Sequence, residues 1–147
     1  MKTLVPTLYD ISQTKLWKKY LKKEGYVVIK NILSDEEKSD IYTQFKSDLN
    51  TVSPNFNFND KKTWTIENTP IMFSKGMAVF NGFGHSDFMW MLRLNKNIKR
   101  IYKKIYKTKK LSVSFDGFSM FVSDKQKSKS WLHIDQNPNN PIYSVQG

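Results

Sequence analysis

Trp131-Leu132-His133-Ile134-Asp135-Gln136 is the segment of this 147-residue chain whose residue types and spacing could do chemistry. Side chains of an extended strand alternate between faces, so His133 and Asp135 share one face and Ile134 takes the other. An imidazole and a carboxylate one pleat apart can converge on a single metal ion. With coordination positions left open, that pair suits iron(II) in the two-histidine, one-carboxylate arrangement. Alone, His-x-Asp is a weak signal, because a hydrogen-bonded pair at a strand end has the same form.

Other side chains could serve such a site. Trp131 precedes the pair and Asp116 lies on the strand before it; both are candidates to line a substrate pocket, with plain packing or surface placement as the alternative. His85, in the turn Asn81-Gly82-Phe83-Gly84-His85, reads as a turn residue helping to cap a helix at Ser86 rather than as a third ligand. Lys96, Lys99, Arg100, Lys103, Lys104 and Lys107 fall on one side of a helix. They form a face for an anionic partner such as nucleic acid, a membrane surface or a coenzyme A ester, although such a face is usually just solvated. There is no glycine-rich phosphate loop, zinc-finger spacing or serine nucleophile elbow. Cysteine is absent, which excludes a disulfide framework, a zinc–thiolate site and a cysteine nucleophile.

The elements that must position these residues are helices first and strands after. A helix is predicted over 12–24, with Ser12 or Thr14 as cap, Leu16, Trp17, Tyr20 and Leu21 at helical spacing, and Gly25 as its stop. Tyr26–Lys30 reads as a strand. Ser34-Asp35-Glu36-Glu37 forms a capping box for a second helix over about 35–49, carrying Ile41, Phe45 and Leu49. Residues 50–70 read as a long loop dotted with Phe56, Phe58 and Trp64, of the kind that acts as a lid or stays disordered. Ser86-Asp87 opens a helix to about Leu94, and 96–107 is an amphipathic helix with Ile98, Ile101, Tyr102, Ile105 and Tyr106 on its apolar face. Strands are expected over Leu111–Val122, Ser130–Asp135 and Ile142–Val145. The class is α+β, with 1–147 as part of one domain, helical over 1–110 and strand-rich over 111–147.

Composition agrees with a globular chain: 39% hydrophobic and 14% aromatic residues are enough to bury a core. The net charge of +11 raises nucleic acid as a partner, but Arg93 and Arg100 are the two arginines among 24 basic residues. Surfaces that read bases favour the arginine fork, so the charge is taken as mostly solvated surface. Abundant Lys, Asn and Ile suggest an AT-rich coding genome, such as many large DNA viruses have. No run approaches the roughly 18 apolar residues of a membrane span, and the start lacks the apolar region of a secretory signal. An intracellular, cytoplasmic protein is expected.

Several segments together resemble the phytanoyl-CoA dioxygenase family. They are Gly25-Tyr26-Val27-Val28-Ile29-Lys30-Asn31-Ile32-Leu33-Ser34, then Ser114-Phe115-Asp116-Gly117-Phe118, then Trp131–Gln136 followed by Tyr143-Ser144-Val145-Gln146-Gly147. Their order and spacing fit over nearly the whole chain. The resemblance implies helices packed on a double-stranded β-helix, a cupin-like jelly roll. It also implies iron(II) and 2-oxoglutarate as cofactors, with His133 and Asp135 as the first two metal ligands. The implied reaction is hydroxylation of a small or lipid-derived substrate coupled to conversion of 2-oxoglutarate to succinate and carbon dioxide.

The family pattern also requires a second histidine downstream and, beyond it, a basic residue for the distal carboxylate of 2-oxoglutarate, a task that suits a guanidinium. No histidine or arginine follows Asp135 in this sequence. The expectation is therefore a barrel incomplete at Gly147: a fragment, a chain completed by a second chain, or a truncated product without catalysis. The alternative from another class is a basic structural or nucleic-acid-associated protein that reuses half of the fold.

Overall fold

The computed structural model describes residues 5–73, 76–122, 137, 139 and 144–147. Among them are four α-helices: α1 (Thr14–Glu24), α2 (Asp35–Val52), α3 (Asp87–Leu94) and α4 (Lys96–Tyr106). Strand β1 (Leu8–Tyr9) pairs in parallel with β2 (Val28–Ile29), Leu8 beside Val28. Strand β3 (Met77–Ala78) pairs antiparallel with β4 (Phe118–Ser119), Met77 beside Ser119. The class is α+β, and the described strands close no barrel.

α1 begins without the expected hydroxyl cap. Its N-cap is Gln13, and the Gln13 side-chain carbonyl accepts from the Asp10 amide at 2.8 Å instead of capping the helix. It ends at Gly25, where φ is 78° and the amide donates to Leu21, a left-handed stop that glycine adopts at little cost. Trp17 is fully buried, whereas Leu16, expected on the apolar face, is 56% exposed. One residue turns a helix by about 100°, so the side that buries Trp17 and half-buries Leu21 leaves Leu16 on the flank.

α2 opens on the predicted capping box. The Glu37 amide donates to Ser34 Oγ at 3.1 Å and the Ser34 amide to Glu37 Oε2 at 2.8 Å. The helix runs beyond residue 49 to Val52, because Asn50 and Thr51 do not break it. Pro54 does, since the residue before a proline is driven out of the helical region; Ser53 has φ −137° and ψ 61°.

The stretch expected as a lid or disordered loop is folded onto α2. It makes 3-10 turns at Lys61–Thr63 and Ile66–Asn68, and Trp64 Nε1 donates to the Asn57 carbonyl at 2.9 Å. Its aromatics are core: Phe56 is buried with Leu49, Ala78, Phe83 and Phe88, and Phe45, Phe58, Trp64 and Phe118 pack against them. Phe118 meets Phe83, Phe45 and Phe88 edge-on at 5.1, 5.4 and 5.5 Å. Edge-to-face pairs of this kind add about 0.5–1.5 kcal/mol each beyond the area they bury.

Leu111–Val122 is a strand over only Phe118–Ser119. β-branched and aromatic residues favour extended backbone, but a ladder needs a partner of equal length, and β3 offers two residues. Of the later expected strands, Ser130–Asp135 lies outside the described residues; in Ile142–Val145, Ser144 and Val145 are described and carry no regular structure. The Val145 amide donates to the Tyr106 hydroxyl at 2.8 Å.

Candidate functional site

His133, Asp135 and Trp131 lie outside the described residues. Asp116 is described, and its carbonyl is held by a side chain of α3. Arg93, in the last turn of α3, donates through Nη2 to the Asp116 carbonyl at 2.9 Å and through Nη1 to the Gly84 carbonyl. The same guanidinium lies over the Trp90 ring at 5.4 Å and the Phe115 ring at 5.8 Å. His85 stacks on Phe115, centroids 4.7 Å apart and planes 20° from parallel. Asp116 itself is exposed.

Two glycines permit this approach. A Cβ on Gly84 would stand 2.0 Å from the Phe115 carbonyl oxygen, and one on Gly117 would stand 1.7 Å from that of Ala78. Both distances are inside van der Waals contact, so only glycine lets these backbones meet.

Sequence reasoning missed Arg93 and Phe115. The signal for Arg93 was its rarity, a guanidinium in a lysine-dominated chain, since a fork reaching two carbonyls is a task lysine performs poorly. His85 ends the 3-10 turn Phe83–His85 as an exposed residue, and the bond at this helix start is made by Ser86 Oγ, which donates to the Phe83 carbonyl at 2.8 Å.

The basic face of α4 has the predicted composition. Lys96, Arg100, Lys103, Lys104 and Lys107 are exposed, Lys99 is half-buried, and Ile98, Ile101, Tyr102, Ile105 and Tyr106 are half-buried on the other side. Burial pushes the Tyr102 hydroxyl pKa up, and the neighbouring Tyr106 pushes it the same way.

An open cleft of about 530 Å³ lies elsewhere, between α2 and the Pro54–Asn59 loop, with Tyr42, Lys46, Asn50, Phe58 and Asn59 among its walls. Lys46 Nζ sits 4.6 Å above the Tyr42 ring. Among the described residues no three His, Cys, Asp or Glu side chains gather as a metal site, and no helix is long and apolar enough to cross a membrane.

Two curated proteins share sequence with the chain. One, named "Ava biosynthesis cluster protein O" in Aspergillus versicolor, is 27% identical over 124 residues, covering 83% of this chain and 40% of that protein. The other, named "Putative phytanoyl-CoA dioxygenase" in Dictyostelium discoideum, is 25% identical over 133 residues, covering 82% of this chain and 36% of that protein. The second bears a dioxygenase's name. The chain spans about two-fifths of the length of these relatives. No family model matches the sequence, and no solved structure matches it.

Proposed function

We propose that the chain is part of an iron(II)- and 2-oxoglutarate-dependent oxygenase of the phytanoyl-CoA dioxygenase type, acting on a small or lipid-derived substrate. The observation that carries this is similarity along 82% of the chain to a protein so named, in a sequence that also holds Trp131-Leu132-His133-Ile134-Asp135-Gln136. In this reading the helices and the folded loop form the outer layer of a jelly roll.

His133 and Asp135 would hold the iron. One imidazole nitrogen and one carboxylate oxygen are the donor types such a centre uses, and a further histidine and a carboxylate-binding arginine would come from outside these residues. Bound iron(II) with 2-oxoglutarate supplies the oxidising power for C–H hydroxylation, chemistry that belongs to the cofactor. The chain's own contribution is positional. Arg93 fixes the Asp116 carbonyl, and Gly117 seats the same segment against β3, so the backbone ahead of the ligand pair starts from a rigid point.

The test is succinate release from 2-oxoglutarate in the presence of iron(II) and ascorbate, with His133→Ala and Asp135→Ala run in parallel. In a protein that carries the further histidine and arginine together with these residues, turnover that both variants lose is the expected result. Turnover there that His133→Ala retains in full overturns the reading.

A further inference from the structure

We propose that the lysine faces of α1 and α4 form one docking surface for the phosphodiester backbone of a nucleic acid, bound without regard to base sequence. The observation that joins them is a contact between helices far apart in sequence: Lys18 Nζ donates to the Lys104 carbonyl at 2.6 Å. Lys18 lies on the α1 stripe Lys15, Lys18 and Lys22, spaced i, i+3, i+7 and so on one side of the helix. That stripe therefore borders the C-terminal end of α4.

On α4 the exposed stripe is Lys96, Arg100 and Lys103, followed by Lys107 at the left-handed C-cap. Together they run about 16 Å at 1.5 Å per residue, the axial length of roughly five phosphates on one strand of a duplex. Residues 96–110 contain eight basic side chains and no acidic one. The ion pairs among the described residues are Lys23–Glu24, Lys30–Asp10 and Lys38–Asp35; none of them involves α4, and Glu37 acts electrostatically on Lys96 alone of its stripe.

The chemistry of the surface selects the partner. Arg93 is engaged with the carbonyls of Gly84 and Asp116, which leaves Arg100 among lysines. Lysine meets a phosphate as a point charge and carries little base-reading geometry. An anionic membrane would also attract the charge, but interfacial helices insert apolar side chains beside it. Here the exposed Leu16 precedes Tyr20 by one turn, and Tyr20 faces Tyr9 and Tyr26, the flank away from the joined stripes. This inference does not depend on the iron-binding reading.

Binding of the chain to labelled duplexes of about 20 base pairs, in two unrelated sequences, is measured by fluorescence anisotropy between about 50 and 200 mM salt. Equal affinity for both sequences is expected, with log K falling against log salt at a slope of about −3 to −4 for four phosphate contacts. The variant Arg100→Gln/Lys103→Gln/Lys107→Gln reduces that slope by about 2–3. Lys61→Gln/Lys62→Gln, on the 3-10 turn, leaves it unchanged. Circular dichroism of each variant checks that the helices stay intact. Salt-independent binding, a slope unaltered in the triple variant, or tighter binding to phosphatidylserine vesicles than to DNA would overturn the proposal.

Discussion

Asp48 sits on α2 but works for α3. Its Oδ2 accepts the Phe88 amide at 3.0 Å, and its Oδ1 accepts from Gln44 Nε2 at 2.7 Å. An amide in the first turn of a helix has no partner within that helix, and Ser86 Oγ is turned to the Phe83 carbonyl. Asp48→Ala should therefore destabilise the fold by about 1 kcal/mol, the usual cost of a lost cap, read from urea unfolding. Glu37 holds two joints at once, the Ser34 cap of α2 and the Asn95 side chain that caps α4. The Ser34 amide, with further help from Asn95, the Ser34 hydroxyl and Lys96, draws the Glu37 pKa below the usual glutamate range. A depressed carboxylate contributes stability that is complete above its unfolded pKa and is lost as pH falls through its folded one. Glu37→Gln should flatten the acid side of a melting-temperature profile in that window and leave its slope near neutrality unchanged. At this scale the local signals were legible: Ser34–Glu37 and Gly25 lie within a few residues of what they satisfy. Asp48 was not, because its partner is forty positions away and only tertiary packing brings them together.

At the scale of elements, Phe118 on β4 ties α2, α3 and the Phe83 turn into one aromatic cluster, and Gly117 beside it lets β4 reach β3. Gly117→Ala forces a methyl group against the Ala78 carbonyl and should cost about 1–3 kcal/mol, as overpacking does; chemical denaturation measures it. The four described helices were readable as segments, but the expected cap bond was right only for α2; α1 and α3 lack one from their own N-caps. The aromatics of the 50–70 loop were visible but assigned to a lid or disordered stretch, because Pro54, Pro70 and several asparagines argued for irregular backbone, and irregular backbone can still deliver Phe56 to a core. The strand predicted over Leu111–Val122 shrank for the opposite reason: propensity is local, whereas pairing depends on what lies alongside. His133 and Asp135, the proposed metal ligands, fall outside the described residues.

Across the whole molecule, a net charge of +11 meets few compensating ion pairs among the described residues. Self-repulsion of that kind weakens a compact state, and salt shortens its range from about 30 Å at 0.01 M to about 8 Å at 0.15 M. The melting temperature should therefore rise between those two salt concentrations, in calorimetry or circular dichroism, whereas a fold held by surface ion pairs would melt earlier. The α+β class was legible because helical spacing and β-branched, aromatic runs fall in separate segments of the chain. The approach of α1 to the end of α4 was not, since nothing in either lysine run says that Lys18 reaches the Lys104 carbonyl.

The cap that α3 takes from α2 also bears on the order in which the molecule opens. With eight residues, α3 is too short to persist in isolation. Its amides should exchange with deuterium as one cooperative unit with those at the end of α2, so that loosening either helix releases both.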